Sequence, residues 1–162
     1  MPSPALRAAG ASASSLARQD YAIAETLAHL DQPTQRQVML WAVHTAVDAS
    51  AERYRALLAP AAEALTRGEL PPAPFDSGQT AWAALLGGSQ VQVTTTIRQG
   101  SEPKPARKPL AAHAAALTAI LLAAREQETN AAMIAAVTAA ASGQNDLPRF
   151  FERLRAAFDL PR

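Results

Sequence analysis

A chain of 162 residues, 49% hydrophobic and 18% charged, is long enough to bury a single core and too apolar for a disordered protein. Its net charge of +1 excludes a strong overall electrostatic field of either sign, and the absence of cysteine excludes disulfides and thiolate metal sites. Aromatic residues make up only 5%, so alanine supplies much of the apolar content and favours helices.

The opening residues are rich in serine and alanine, contain arginine and lack acidic side chains up to residue 19. Because disorder concentrates at chain ends, we predict a frayed tail over residues 1–14 and one helical domain over residues 15–162. No window has the apolar length that a membrane helix needs, and the opening stretch lacks the apolar core of a secretory signal. The sequence therefore predicts a cytoplasmic protein without a membrane span.

The first predicted helix runs from about residue 15 to residue 30, where apolar residues recur at helical spacing. Asp31 is a suitable N-cap for a second helix, which has Pro33 in its first turn. This helix carries the apolar run of residues 38–47, which we expect to be the central and most buried element. Pro60 predicts a kink or a break, because proline removes a helical hydrogen bond and clashes with the preceding turn.

Gly68 marks the end of this helical region, and the loop "ELPPAPFDSG" follows it. Asp76 or Ser77 is the predicted cap of a short helix before the glycine pair at 87 and 88. Residues 110–141 are helical in pattern, and we favour two helices there because one of over roughly 30 residues is unusual in a domain. The last helix carries an aromatic stripe that favours packing onto its own domain. Together these elements predict a compact all-α bundle of five or six helices.

One segment departs from the helical pattern. Residues 91–98, "VQVTTTIR", alternate like a strand and precede a proline-rich basic linker over residues 99–109, which we expect to be exposed. A single strand cannot satisfy its own backbone hydrogen bonds, so three interpretations remain open. The segment is a hydrated coil, a strand that pairs with a second copy or a partner's sheet, or a ribbon that contacts nucleic acid.

The histidines are the main candidates for chemistry. His44 and Asp48 stand four apart on one helix, the spacing of a general-base pair, but neither a nucleophile nor a glycine-rich elbow accompanies them. His29 lies near a helix end, where the helix dipole favours a cation. His113 shares a face with apolar residues and has no second ligand at metal spacing. Since phosphate-binding glycine motifs are also missing, we predict no catalytic residue, metal or cofactor.

These observations favour a non-enzymatic protein-interaction or assembly module, acting as a homodimer or as a subunit of a larger complex. Its predicted contact residues lie on one side of the strand: Val91, Val93, Thr95 and Ile97. The alternative is a nucleic-acid-binding protein that uses a basic hook at residues 98–108 and the Arg-rich C-terminal helix. In the hook, the predicted phosphate contacts are Arg98, Lys104, Arg107 and Lys108. An enzyme built around His44 is a third hypothesis.

Overall fold

The computed structural model describes residues 2–87, 111–125 and 129–161. Helices hold 78% of these residues and no strand occurs among them, which confirms the predicted all-α class. The nine helices of the described ranges are α1 (Pro4–Ala8), α2 (Gly10–Gln19), α3 (Tyr21–Ala28), α4 (Gln32–Asp48), α5 (Glu52–Arg67), α6 (Gly78–Leu85), α7 (Ala112–Arg125), α8 (Thr129–Ser142) and α9 (Leu147–Phe158).

Local capping chemistry sets several helix boundaries as the sequence predicts. The Asp31 side chain accepts a hydrogen bond from a backbone N–H in the first turn of α4, and Ser77 does the same for α6 at 3.3 Å. Gly68 ends α5 in the left-handed region at φ 79°, so the Glu69 N–H reaches the Ala64 carbonyl at 2.9 Å. Within residues 111–142 the described chain forms two helices, α7 and α8, as favoured.

The N-terminal segment is helical and packed, unlike the frayed tail that its composition predicts. Ser3 caps α1 by accepting the Leu6 N–H at 3.1 Å, and the Ser3 N–H donates to the Glu25 carboxylate on α3 at 2.8 Å. Leu6 and Ala13 are buried. The apolar residues of this segment therefore pack on α3 and α8. Composition alone does not predict this packing.

More helices form than the predicted five or six, because α1 forms within the predicted tail and the chain breaks at two unexpected places. Asp20 adopts extended backbone, φ −153°, and its carboxylate caps α3 through the Ile23 N–H at 3.0 Å, which divides the predicted first helix into α2 and α3. A second break separates α4 from α5 at residues 49–51. Helix α5 instead continues through Pro60. Pro60 and Ala56 are both exposed, so water can bond the carbonyl that the proline frees.

Helix α8 shares the centre of the bundle with residues 38–47 of α4, seven of which are buried. It packs against α2, α3, α4 and α7, and nine of its 14 residues are buried, mostly alanines. Helix α4 packs on α5, α7 and α8, but Trp41 and His44 are only half-buried. The sequence underrates α8 because alanine carries little apolar surface, although it allows helices to approach closely.

The backbone at the end of α8 lies very close to α7. A Cβ atom placed on Gly143 would lie 2.5 Å from the Cβ of Ala115 and 3.4 Å from the Cα of Ala112. Only a residue without a side chain fits this crossing, so Gly143 does more than end the helix.

Helix α9 closes the bundle against the N-terminal helices. Its buried residues include Phe150, which lies 5.5 Å from the Trp41 ring, and the Phe158 ring meets Trp41 edge-on at 6.2 Å. Arg155 pairs with Asp20 through its Nη2 atom, and both side chains are about four-fifths buried. The favoured packing of the aromatic stripe onto its own domain is confirmed.

Candidate functional site

The residues predicted to carry function lie outside the described ranges. They comprise the strand side (Val91, Val93, Thr95 and Ile97) and the basic hook (Arg98, Lys104, Arg107 and Lys108), both within residues 88–110. The strand, the exposed linker and the hook therefore stay predictions.

The structure gives His44 a different partner from the predicted Asp48. His44 Nε2 lies 2.9 Å from Oγ1 of Thr66 on α5, and the same Oγ1 lies 3.1 Å from the Ala62 carbonyl. The Thr66 hydroxyl has one proton, so it can donate either to the Ala62 carbonyl or to His44, and the His44 tautomer decides which of the two holds. Asp48 is exposed at the end of α4. This arrangement links α4 to α5 and engages Nε2 in a contact within the chain.

His113 takes part in an aromatic stack between α5 and α7. Its ring lies nearly parallel to the Tyr54 ring, with centroids 4.0 Å apart. The Arg53 guanidinium lies 4.4 Å from the Tyr54 centroid and donates to the Tyr54 hydroxyl at 2.6 Å. The stack uses the planar faces of all three groups in contacts within the chain, so a packing role is the better interpretation.

The remaining histidine, His29, caps α3, and its Nε2 lies 3.7 Å from Oε2 of Glu25. Over residues 2–87, 111–125 and 129–161, no three His, Asp or Glu side chains group as metal ligands would. In the same ranges, no helix combines the length and apolarity needed to cross a membrane.

One large apolar side chain on the described surface is unusually exposed. Leu70 has 78% of its surface exposed, whereas Leu86, another exposed leucine, has 37%. The backbone around Leu70 is anchored, because the Glu69 N–H bonds to α5 and both Pro71 and Phe75 are buried. The protein therefore holds an aliphatic side chain in water on a fixed loop.

Leu70 borders a shallow hollow of about 170 Å³ where α4, α5 and α7 meet. We call this region the Leu70 patch, lined by Arg36, Met39, Leu65, Gly68, Glu69, Leu70, Ala123 and Ala124. Arg36 crosses the end of α5, where its Nη2 donates to the Leu65 carbonyl at 3.3 Å. A cation at the C-terminus of a helix is favoured by the helix dipole, which keeps Arg36 in place.

Charged groups surround the patch in near balance. Arg67 Nη2 lies 2.8 Å from Glu69 Oε2, and Glu63 also acts on Arg67 electrostatically. The hydrogen bond from Arg67, with its positive charge, lowers the pKa of Glu69, and the same bond raises the pKa of Arg67. Of these charged residues, Arg36 and Glu69 line the hollow itself.

The Arg-rich C-terminal helix presents two of its three arginines to solvent. Arg149 and Arg153 are exposed and four residues apart, so they share one face of α9. Arg155 instead faces the bundle, where it binds Asp20. On this face of α9, Arg149 and Arg153 can contact a phosphate. The acidic Glu152 lies beside them and is also exposed.

Sequence reasoning passes over Leu70 because the residue lies in a loop between a helix-ending glycine and a proline pair. In such loops an apolar residue either anchors the loop, as Phe75 does, or points outward, and the local sequence does not distinguish the two.

Searches against protein-family models, curated proteins and solved structures found no match to this chain.

Proposed function

We propose that this chain is a non-enzymatic protein-interaction or assembly module of the cytoplasm, a homodimer or a subunit of a larger complex. The observation that carries the proposal is Leu70, a leucine 78% exposed on an anchored loop beside a hollow of about 170 Å³. A single exposed leucine is common on protein surfaces, so it is the anchored loop and the adjoining hollow that distinguish this one. The strand predicted at residues 91–98 is a second proposed contact.

The energetics favour Leu70 as a contact residue. Removing a leucine side chain from water stabilises a complex by about 1.5 to 3 kcal/mol. The anchored backbone on both sides of Leu70 lowers the ordering entropy that binding costs. In the free chain the exposed Leu70 side chain gives no such stabilisation. It can therefore stabilise a complex more than it stabilises the free chain.

Site-specific photocrosslinking in cells tests the proposal. A benzophenone amino acid replaces Leu70 in one variant and Leu86 in the matched control, and the adducts are identified by mass spectrometry. We expect one discrete protein adduct from residue 70, reproduced with purified components. Adducts no stronger at residue 70 than at residue 86 would contradict the proposal.

The strand contact has its own test. Proline at Val93 or Thr95 removes a ladder donor, so association should weaken while the helical circular dichroism signal stays nearly unchanged. Rapid hydrogen exchange throughout residues 91–98, in a protein that still associates, would remove the strand from the interface.

Nucleic-acid binding is the second candidate function, and the exposed pair Arg149 and Arg153 supports it. Phosphate contacts make affinity fall steeply with salt, so titration of duplex and single-stranded DNA at several salt concentrations is the direct test. Joint neutralisation of the four hook residues should reduce the salt slope and leave self-association unchanged. The hook residues are Arg98, Lys104, Arg107 and Lys108.

A further inference from the structure

We infer that α9 undocks reversibly from the bundle as a unit, while the other helices stay folded. In the closed state described above, α9 buries its own aromatic stripe and covers part of the Trp41 ring. Undocking exposes both surfaces, which adds to the proposed function a second state with more apolar contact surface. Three properties of the seam between α9 and the bundle favour undocking: a single polar contact, two unsatisfied polar atoms and loose packing.

One ion pair is the only polar side-chain contact between α9 and the other helices of the described ranges. Arg155 Nη2 donates to Asp20 Oδ2, and both side chains are about four-fifths buried. The ends of α9 are capped locally, since the Arg149 N–H donates to Asp146 Oδ1 and the Leu160 N–H to the Arg155 carbonyl, both at 3.0 Å. Undocking therefore breaks one polar contact with the bundle and leaves the caps of α9 intact.

Two buried polar atoms at the same seam have no hydrogen-bond partner. They are Oε1 of Gln19, at the end of α2, and Nε of Arg155, and both side chains line one hollow beside α9. Arg155 thus uses Nη2 for Asp20 and leaves its Nε–H without an acceptor. A buried donor without a partner destabilises the state that keeps it from water. The docked position of α9 carries this cost, and undocking returns Arg155 to water.

The seam is also loosely packed. A hollow of about 350 Å³ lies between the first turns of α9 and the break that separates α2 from α3, and this volume is the room that roughly ten waters occupy in the liquid. Among the described helices, only α9 brings its backbone close to no neighbour over several residues. At the crossing of α7 and α8, by contrast, Gly143 has no room for a Cβ atom. The seam therefore lacks part of the close packing that holds the centre of the bundle together.

Apolar burial still favours the closed state, because Phe150, Phe151 and Leu154 are buried. Undocking is therefore a minor opening, with a lower free energy than global unfolding. Hydration of Arg155 in the open state offsets part of the apolar contact that is lost.

Native-state hydrogen exchange of the full chain, measured residue by residue by NMR, tests the inference. We expect the amides of residues 150–158 to share one level of protection, at least about tenfold below that of the buried α8 amides. Protection equal to that in α8 would overturn undocking, because α9 would then open only with the whole domain. Protection that rises steadily inward from the ends of α9 would overturn it too, because fraying has that pattern.

The D20N variant tests whether the opening breaks the polar contact. Asparagine caps a helix about as well as aspartate does, so D20N keeps the start of α3 and removes the charge that pairs with Arg155. We expect exchange in α9 to accelerate about tenfold, since hydrogen bonds between charged groups are the strong ones. The control E52Q removes one partner of the exposed Glu52–Arg55 pair on α5 and should change α9 exchange by less than about twofold. Unchanged α9 exchange in D20N would overturn the inference.

The I120V variant tests whether α9 opens independently of the rest of the domain. Ile120 is fully buried in α7, which packs on α4, α5, α6 and α8. Loss of one methyl group there should accelerate exchange of the α8 amides about fivefold, because these amides open by global unfolding. The α9 amides should keep the rate of the parent to within about twofold. Equal acceleration in α8 and α9 would show that both open together and would overturn the inference.

Discussion

Replacing Gly143 by alanine tests the close crossing of α7 and α8. The new Cβ would lie 2.5 Å from the Cβ of Ala115, whereas carbon atoms pack best at about 3.5 to 4.0 Å. Neither Cβ can rotate away, because each is fixed by its own backbone. The two helices must therefore separate, and both belong to the centre of the bundle.

The expected cost follows from two opposing terms. Overpacking of a buried contact destabilises by about 1 to 3 kcal/mol. Gly143 does not adopt the left-handed region, so alanine is compatible with its backbone and regains about 0.4 to 1 kcal/mol by restricting the unfolded chain. The net expected loss is about 1 to 2 kcal/mol, or roughly 2 to 8 °C in Tm for a chain of this length.

Chemical denaturation of the parent and four variants, G143A, A115G, their double variant and a control, measures this loss. The matched control is G78A, where the added Cβ meets Arg125 Nη2 at 3.0 Å, but at the mobile end of an exposed side chain. We expect G78A to change stability by less than about 0.5 kcal/mol. In the double variant A115G/G143A the clash disappears, so the two substitutions should couple favourably by about 1 kcal/mol. A G143A protein as stable as the parent would refute the close crossing.

Substitutions at three further positions test other contacts. W41A should lower the free energy of unfolding by about 3 kcal/mol in urea denaturation, because Trp41 packs on the Phe158 ring and its loss leaves a gap; an unchanged midpoint would contradict this packing. Asp159 stands at φ 50°, so D159G should raise Tm slightly and D159A should cost about 1 kcal/mol, and equal effects of the two would argue against the left-handed conformation. The hydrogen bonds from Ser3 lower the pKa of Glu25, so this carboxylate stabilises the fold above its unfolded pKa of about 4.3 and ceases to do so as pH falls through the lower folded pKa. E25Q removes this carboxylate, so its stability should fall less than that of the parent as the pH is lowered from 5. Thermal unfolding at a series of acidic pH values measures the difference.

The features that the sequence predicts correctly are those with a local cause. Asp31 and Gly68 act on the first and last turns of their own helices, so a few neighbouring residues are enough to identify them. The all-α class follows similarly from alanine content and helical spacing. Caps of this kind require no knowledge of what the helix packs against.

The features that the sequence does not reveal depend on distant parts of the chain. Asp20 lies inside an apolar repeat that looks continuous, and the break there leaves its carboxylate to pair with Arg155 on α9. Whether Leu70 anchors its loop or faces water depends on how α4 and α7 cover the end of α5. Such placements are decided by packing, which a local pattern does not contain.

The link between Asp20 and Arg155 also bears on when the domain can fold. The two residues are 135 positions apart, and the hydrogen bond from Thr138 to the Ser12 carbonyl spans 126. At a synthesis rate of about 5 to 20 residues per second, the N-terminal helices wait roughly 7 to 27 seconds for these partners to be made. Long-range contacts of this kind also slow refolding relative to bundles with mainly local contacts. During translation, α1 to α3 therefore present their apolar faces without the partners on α8 and α9 that later cover them.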